Sequence, residues 1–333
     1  MLKRTKQNLS SKVNPKLPLV IVNPKSAGGA TKGNWSGIAS DLRAHFGAFQ
    51  VAFTKSGGDG ITLAKEAAEN GRGFIVACGG DGTINEVANG IMQAGDTEIE
   101  MGIFPSGTGG DFRKTLGIPV EARKAAKALR EGETKRIDLG KVTYMNSKQI
   151  YESRYFLNVS SFGLSAEINQ RVSSNSFFKW LPFGKTLKGK AKFAYSTVQE
   201  VLEFDATLVN VIVDDGETKT LQTLNFCVCN GRFFGGGMKI APNAKIDDER
   251  LNLINIGDIK TARILRKGYK LYTGSHLDLP EVKDALIKKV QVSPADENES
   301  TRIEADGEIL GTLPATFEIV PKALKMRIAR EEN

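Results

Sequence analysis

The sequence is poor in the residues that bind transition metals, and it has no long apolar run. Two histidines and three cysteines among 333 residues argue against a zinc enzyme. Cys227 and Cys229 would suit a soft metal, but no second cysteine pair accompanies them, so these two and Cys78 are expected to be buried core thiols. No apolar run approaches the roughly 20 residues of a membrane-spanning helix. The basic N-terminus precedes no apolar stretch, which predicts a cytoplasmic protein without a secretory signal.

The composition is that of a globular protein with a basic excess. Hydrophobic residues make up 40% and charged residues 25%, which excludes wholesale disorder and a coiled coil. A chain of 333 residues exceeds what one hydrophobic core usually serves, so two domains are predicted. The net charge of +8 favours an anionic partner. A phosphorylated metabolite, a nucleic acid and an anionic membrane surface all satisfy that condition.

The first half of the chain alternates strand-like and helix-like segments, which predicts an open α/β sheet with mostly parallel strands. After a basic tail, 1–16, we predict a nucleotide-binding α/β domain over 17–138. Its predicted strands are 17–22, 49–53, 74–78 and 101–104, and its predicted helices are 35–45, 61–69, 84–92 and 121–130.

The second half has short β-branched runs separated by turn residues, which predicts an antiparallel β-sandwich over 139–320. The boundary is placed near Asp138, and a helical insertion is predicted at 190–203. The predicted strands are 155–159, 207–213, 221–228, 251–256, 289–292, 301–305 and 316–320.

The strongest motif is FIVACGGDGTINEV, residues 74–87, where a buried strand passes through a glycine turn into a helix. Glycines let backbone N–H groups approach a phosphate, and the helix N-terminus adds positive potential. Asp81 would repel a phosphate unless it holds a cation or receives a proton, and the alternative is that it caps the helix. A second GGDG string, 57–60, follows a polar spacer, and a helix cap at Asp59 is predicted there.

Two further polar loops, 23–29 and 106–111, follow predicted parallel strands. Ligands of open α/β sheets bind at the carboxyl ends of the strands, so these loops and the glycine turn predict a nucleotide phosphate site. The first strand is followed by neither G-x-G-x-x-G nor G-x-x-x-x-G-K-[ST], which weakens the Rossmann and Walker interpretations.

In order and spacing these motifs resemble the catalytic domain of diacylglycerol kinases, of the soluble bacterial lipid kinase type. The resemblance covers nearly the whole chain beyond residue 16. It implies an N-terminal α/β domain that binds ATP, a C-terminal β-sandwich that completes the cleft, and a final segment, 321–333, that returns to the N-terminal domain. The motifs that carry it are NPKS (23–26), Thr54, GGDGTINEV (79–87), SGTGGDF (106–112), NVSSFGLS (158–165), Asn230-Gly231, GGGMKIAPNAKIDD (235–248) and DGEILGTLP (306–314).

The resemblance implies roles for individual residues. Asp306 matches the general base, Glu308 an acidic neighbour near the nucleotide, and Glu86 a support of the GGDGT loop. A lipid hydroxyl is a poor nucleophile, so a carboxylate must accept its proton. Asp81 competes for that role, and a simple hairpin turn is the alternative for Asp306-Gly307. The implied ATP contacts are Asn23, Pro24, Lys25, Ser26, Thr54, Gly80, Asp81, Gly82, Thr83, Ile84, Asn85 and Thr108.

The resemblance also implies a structural Mg²⁺ site with the Asp248 side chain and the carbonyl oxygens of Lys245 and Arg250 as ligands. Glu249 stands where the family usually has glycine, which constrains the backbone shape that carbonyl ligation needs. Gly110 likewise stands where asparagine is usual.

The stretch 177–192, FFKWLPFGKTLKGKAK, interleaves aromatic residues with lysines. Aromatics at a lipid interface, with lysines reaching the phosphates, would dock the protein on a membrane. Stacking on single-stranded nucleic acid and packing of the aromatics beneath the following helix are the alternatives.

The function implied is an ATP- and Mg²⁺-dependent lipid kinase, peripheral at the cytoplasmic face of the inner membrane, that phosphorylates a diacylglycerol-like hydroxyl. No nucleic-acid partner is expected, and a homodimer stays open. The alternatives are an NAD kinase-like enzyme, which also uses GGDG before a helix, and a catalytically weak lipid-binding regulator. The DGE and GGGM-x-I-A-P segments favour the lipid kinase.

Overall fold

The computed structural model describes residues 16–96, 98–107, 109–174 and 204–330. Most of the basic tail, Thr108, the aromatic and basic stretch 177–192 and the predicted helix 190–203 lie outside these ranges.

The N-terminal part is a parallel sheet covered by helices on both faces. Its strands are β1 (Leu19–Val22), β2 (Gln50–Phe53), β3 (Phe74–Gly79) and β4 (Glu100–Pro105), in the order β2-β1-β3-β4. The helices are α1 (Ala30–Gly33), α2 (Trp35–His45), α3 (Asp59–Glu69), α4 (Asp81–Ala94), α5 (Asp111–Thr115) and α6 (Ala122–Glu131). Helices α3 and α4 pack on one apolar face of the sheet, and α2 and α6 pack on the other. The predicted alternation of strands and helices is confirmed.

The C-terminal part is built mainly from antiparallel strands, as predicted, around two apolar clusters. The strands are β5 (Glu133–Met145), β6 (Tyr151–Phe156), β7 (Val159–Gly163), β8 (Thr207–Val213), β9 (Lys219–Thr223), β10 (Asn225–Cys229), β11 (Leu251–Ile256), β12 (Val282–Ile287), β13 (Lys289–Pro294), β14 (Arg302–Ala305) and β15 (Glu308–Ile328). Within the described residues, three α-helices accompany them: α7 (Leu164–Ser174), α8 (Thr261–Lys267) and α9 (Lys270–Thr273).

One long strand joins the two parts into a continuous sheet. Strand β15 pairs antiparallel with β5, β13 and β14, and near its end it pairs in parallel with β4, Lys325 opposite Glu100 and Met326 opposite Met101. The end of β15 therefore lies beside the N-terminal strands. The predicted boundary near Asp138 falls inside β5, and the domain limits stay a prediction.

Two predicted strands are each two strands in the structure. The run 221–228 is divided between β9 and β10, because the Leu224 N–H bonds to the Ile256 carbonyl at a corner. The run 155–159 is divided between β6 and β7, and the backbone between them turns its N–H groups towards Asp306.

The three cysteines are free and buried, as the sequence predicted. Burial raises the pKa of the Cys78 thiol to about 12, so it stays protonated and acts as a small apolar group. Among the described residues, no helix combines the length and the apolarity that a membrane crossing requires.

Candidate active site

Side-chain hydrogen bonds join the three loops that follow β1, β3 and β4. The Asn23 amide donates to the Thr83 hydroxyl at 3.1 Å, and the Ser26 and Ser106 hydroxyls lie 3.3 Å apart. Thr31, which is buried, donates to the Ser106 carbonyl at 3.1 Å. The sequence predicted that these loops share one edge of the sheet, and the structure places them there.

The loops after β3 and β4 approach each other at backbone distance. A Cβ added to Gly107 would lie 2.4 Å from the Gly80 Cα. No side chain fits there, so a ligand above these loops would meet peptide groups. This close approach is typical of a phosphate cradle.

Asp81 is the first residue of α4, but its carboxylate accepts hydrogen bonds from the start of another helix, α5. Its carboxylate accepts the N–H groups of Asp111 and Phe112, both at 3.1 Å, at the start of α5. Burial raises the pKa of Asp81 while these hydrogen bonds oppose the rise. Among the described residues no side chain caps α4, and the extended Gly80 precedes it. The positive end of α4 is therefore available to an anion.

Lys25 and Thr54 border the same edge. The Lys25 ammonium donates to the Lys55 carbonyl at 2.9 Å, and the Thr54 N–H donates to the Val22 carbonyl at 2.9 Å. Thr108 lies outside the described residues. The roles of the predicted nucleotide contacts stay predictions.

Glu86 supports a different loop from the one predicted. Its carboxylate oxygens accept the N–H groups of Gly58 and Gly60, both at 2.9 Å, so it holds the second GGDG string. Asp59 in that string accepts the N–H groups of Lys55 and Ser56 at 2.7 and 3.0 Å, which closes the turn before α3. Asp59 therefore accepts hydrogen bonds from residues that precede it, and it does not cap α3 as predicted. Gly58 occupies the N-cap position.

Asp306 lies at the contact between the two parts of the molecule. One carboxylate oxygen accepts the Asn85 amide and the Leu157 N–H, both at 2.8 Å. The other accepts the N–H groups of Asn158 and Val159 at 2.9 and 3.1 Å. Burial raises the pKa of Asp306, and the four donors oppose that rise. The backbone is left-handed, with φ of 48° at Asp306 and 88° at Gly307. The turn interpretation therefore applies to this segment, and the role of Asp306 as general base stays a prediction.

Glu308 lies beside the glycine loop, and only one of its two carboxylate oxygens accepts a hydrogen bond from a described residue. Its Oε2 accepts Arg154 at 3.0 Å, and its Oε1 lies 3.9 Å from where a Gly82 Cβ would be. Burial raises the pKa of Glu308, Arg154 lowers it, and the charges of Glu86 and Asp306 raise it further. Arg154 also donates to the Asn85 amide oxygen at 3.1 Å. Sequence reasoning missed Arg154, because a single arginine within a strand has no local signal.

A buried glutamate lies under the turn that carries Asp306. Glu304 is 2% exposed, accepts the Gly307 N–H at 2.8 Å and bonds the Ser161 hydroxyl. Burial raises the pKa of Glu304 to about 7. Its carboxyl thus holds the turn from inside the sheet.

Asp111 connects the loop after β4 to the glycine-rich segment of the C-terminal part. Its carboxylate accepts the Gly236 N–H at 2.7 Å and the Lys114 ammonium at 2.8 Å. Gly110 before it is left-handed, with φ of 64°, a conformation that asparagine also tolerates. The departure from the usual asparagine is therefore accommodated by the backbone.

The predicted Mg²⁺ segment has the backbone shape that glycine would give. Glu249 adopts φ of 60°, its N–H donates to Asp138 at 2.7 Å, and its carboxylate pairs with Lys322 at 3.0 Å. Asp248 accepts the Arg250 N–H at 3.2 Å. Over the described ranges, no three His, Cys, Asp or Glu side chains form a metal cluster. The ligand set Lys245, Asp248 and Arg250, mostly carbonyl oxygens, stays a prediction.

Comparison with known proteins agrees with this geometry. Residues 18–142 match the family described as Diacylglycerol kinase catalytic domain, and residues 158–328 match the family described as YegS C-terminal NAD kinase beta sandwich-like domain. The chain belongs to the family that combines a diacylglycerol kinase catalytic domain with a YegS C-terminal domain. The resemblance inferred from the motifs is confirmed, and a kinase of this family implies ATP as the phosphoryl donor.

Two relatives and one solved structure illustrate the likeness. The chain is 32% identical over 218 residues to the "Probable lipid kinase YegS-like" of Chromohalobacter salexigens, a match that spans 65% of this chain and 64% of that relative, just under two thirds of its length. It is 29% identical over 265 residues to the diacylglycerol kinase of Bacillus subtilis, spanning 79% and 80% of the two chains. A crystal structure of a proposed diacylglycerol kinase from Bacillus anthracis str. Sterne is 25% identical, with a TM-score of 0.71, and covers 96% of this chain and 97% of that one.

Proposed function

We propose that this protein transfers the γ-phosphoryl group of ATP to the free hydroxyl of a diacylglycerol-like membrane lipid. The observation that carries the proposal is the contact between Asn85 of the GGDGT helix and Asp306 of the DGE turn. The contact supports the proposal because it brings the helix that follows the glycine turn beside the segment that carries Asp306 and Glu308. Phosphoryl transfer depends on holding such groups in position around the phosphates.

The nucleotide phosphates would lie against the loops after β1, β3 and β4, at the uncapped N-terminus of α4. Lys25 and the peptide groups of Gly80 and Gly82 would bind them. Mg²⁺ would neutralise part of the negative charge of the triphosphate near Asp81 and Glu308. Without a cation, these carboxylates would repel the phosphates. The separate structural Mg²⁺ site is proposed at Lys245, Asp248 and Arg250.

Hydrogen bonding favours Glu308 as the proton acceptor. Both oxygens of Asp306 already accept two N–H groups each, and both oxygens of Asp81 accept one. These donors oppose the rise in pKa that burial causes at both carboxyls, and they occupy the oxygens that would have to accept the proton. Glu308 Oε1 has no hydrogen-bond partner among the described residues and faces the glycine loop.

Asp306 then acts as the anchor that fixes Glu308. Its four hydrogen bonds tie the turn to α4 and to the corner between β6 and β7. The base predicted from the resemblance and the base favoured by these contacts are two residues apart, so the proposal is testable by mutation.

The working location proposed is the cytoplasmic face of the inner membrane, as a peripheral protein, because the lipid substrate is in the bilayer and the nucleotide is in the cytoplasm. The basic net charge of +8 fits an anionic surface.

The test is phosphoryl transfer from radiolabelled ATP by the full chain, against diacylglycerol, other lipid alcohols and NAD in mixed micelles. Diacylglycerol phosphorylation is expected. Labelled NAD would make the protein an NAD kinase, and lipid binding without transfer would make it a regulator.

The same assay assigns the base. Glu308→Gln is expected to lower kcat by about 10²–10⁴-fold with little change in ATP affinity. Glu318→Gln is the matched control, since Glu318 lies on the same strand, is similarly exposed and pairs with Lys141 at 3.0 Å. An Asp306→Asn variant that keeps its thermal stability and alone loses turnover would return the base to Asp306.

A further inference from the structure

We propose that the two short helices α8 and α9 form a docking surface for an anionic lipid bilayer. This surface, called here the helix-pair surface, consists of Lys260, Arg266, Lys267, Tyr269, Lys270 and Tyr272. The proposal rests on the proposed function, because a substrate held in a bilayer is what gives such a surface its use. It is separate from the stretch 177–192.

Charge in this segment has one sign. Positions 260–277 contain five lysine or arginine residues and no aspartate or glutamate. Arg263 is paired with Glu281, which leaves the other four cations without an acidic partner in their own segment. Lys260 and Arg266 are exposed. Each lysine or arginine near an anionic lipid surface adds to the attraction.

Two tyrosines, one between the helices and one on α9, are exposed to solvent. Tyr269 is 63% exposed and Tyr272 is 55% exposed, while Ile264 and Leu271 pack into the apolar cluster beneath. Ile264 and Leu271 thus face inwards, while the two tyrosines lie on the outer side of the helix pair. Tyrosine is enriched where membranes meet water, because its ring is apolar and its hydroxyl is polar.

The helix-pair surface is fixed to the segment that borders the candidate active site. The Lys239 N–H donates to the Leu271 carbonyl at 2.7 Å, and the His276 ring bonds to the Ile240 carbonyl at 3.0 Å. A few residues earlier, the Gly236 N–H donates to Asp111, whose own N–H is held by Asp81. One segment, 234–242, therefore connects the surface to the phosphate loops.

Charge complementarity selects the occupant. Lys260 and Arg266 share a groove with Asp258 and Glu281, but Glu281 is paired with Arg263, so cations outnumber the remaining acid. A surface with this excess of cations and with interfacial aromatics fits a layer of lipid phosphates. A soluble polyanion would need the cations alone, and an apolar protein partner would need the tyrosines alone. Binding that requires both groups identifies the bilayer.

The test measures cosedimentation of the full chain with vesicles of phosphatidylglycerol and phosphatidylcholine, and with phosphatidylcholine alone. Two double variants remove one group each: Arg266→Ser with Lys267→Ser, and Tyr269→Ser with Tyr272→Ser. The matched control is Lys148→Ser with Tyr151→Ser, because Tyr151 is 61% exposed and Lys148 is exposed on a separate hairpin.

Each double variant is expected to weaken binding to the anionic vesicles by at least about tenfold, while the control binds as wild type does. Wild-type affinity in either double variant overturns the proposal. So does an equal loss of binding to single-stranded DNA, which would make the surface a general polyanion site. A single Arg266→Glu variant, with its melting temperature measured, keeps the test valid if a double variant unfolds, since wild-type vesicle binding in it also overturns the proposal.

Activity in detergent micelles, where bilayer docking is not required, separates this proposal from the proposed function. Both double variants are expected to phosphorylate micellar diacylglycerol at the wild-type rate. If the wild type transfers no phosphate there but still binds vesicles through the helix-pair surface, the docking proposal stands and the kinase proposal fails.

Discussion

The side-chain amide of Asn85 lies 2.8 Å from the carboxylate of Asp306, although 221 positions separate the two residues in the chain. Asn85 is on the helix that follows the glycine turn, and Asp306 is on the turn that leads into β15. This hydrogen bond connects the nucleotide side of the proposed site to its lipid side. A small rotation of one part against the other would break it.

Asp81→Asn is expected to lower activity by at least about tenfold, equivalent to about 1.4 kcal/mol of transition-state stabilisation. The carboxylate holds the first two N–H groups of α5, and an asparagine amide would face one of them with a donor. Steady-state kinetics with ATP as the varied substrate measure the effect. Asp59→Asn in the second GGDG string is the control and should leave activity near wild type. Equal losses in the two variants would contradict a special role for Asp81.

Gly107→Ala is expected to raise the KM for ATP and to lower the melting temperature. The added Cβ would meet the Gly80 Cα at 2.4 Å, and overpacking of this kind costs about 1–3 kcal/mol. Gly57→Ala is the control, because nothing lies within 4 Å of a Cβ there. An unchanged KM in Gly107→Ala would show that nucleotide binding does not depend on the close approach of the two loops.

Arg154→Gln is expected to move the acidic limb of the pH profile of kcat to higher pH. Arg154 lowers the pKa of Glu308, so its removal raises that pKa, and a higher pH is then needed to ionise the proposed base. Arg154→Lys keeps the charge and should shift the limb less. Arg302→Gln, which breaks an arginine–glutamate pair with Glu167 at 2.9 Å, controls for loss of a cation elsewhere. A limb that stays in place in Arg154→Gln would mean that Glu308 does not set it.

We expect the free energy of unfolding of Glu304→Gln to fall less between pH 5 and pH 8 than that of the wild type does. The pKa of Glu304 rises from its ordinary value of 4.5 to about 7, so the folded protein binds more protons than the unfolded chain between these values. The wild-type free energy of unfolding therefore falls as pH rises through this window, by about 3 kcal/mol for this group. The groups that face Glu304 are Asp306, Cys227 and Cys229.

Urea denaturation at pH 5 and pH 8 measures the difference. The glutamine can still accept the Gly307 N–H and bond the Ser161 hydroxyl, so the turn is expected to persist. An identical pH dependence in variant and wild type would contradict the raised pKa of Glu304.

Sequence patterns that span a few neighbouring residues predicted the N-terminal part well. Helix α2 has the predicted bounds, and β3 ends at the glycine turn as expected, because apolar periodicity and turn residues act within a few positions. The three loops were predicted to meet because parallel strands align their ends. Glu86 was assigned to the wrong glycine loop, since two GGDG strings lie within reach and the sequence does not show which helix packs beside which.

The second half of the site depends on pairings that the sequence does not encode locally. Arg154 meets Glu308 across 154 positions, and the N–H groups of Leu157, Asn158 and Val159 meet Asp306 across about 150. The 21 residues of β15 were recognised in part, as 316–320, because its early residues are half-buried against different neighbours and show no single alternation. These features follow from tertiary packing.

The strands of the N-terminal sheet are synthesised well before β15, the strand that completes that sheet. When residues up to about 145 have left the ribosome, the outer edge of β4 and one edge of β5 still have no neighbour, because both pair with residues beyond 308. Unpaired strand edges of this kind are prone to association with other chains. The nascent N-terminal part therefore carries an open edge until β15 has been synthesised, and pairing with β15 then closes that edge.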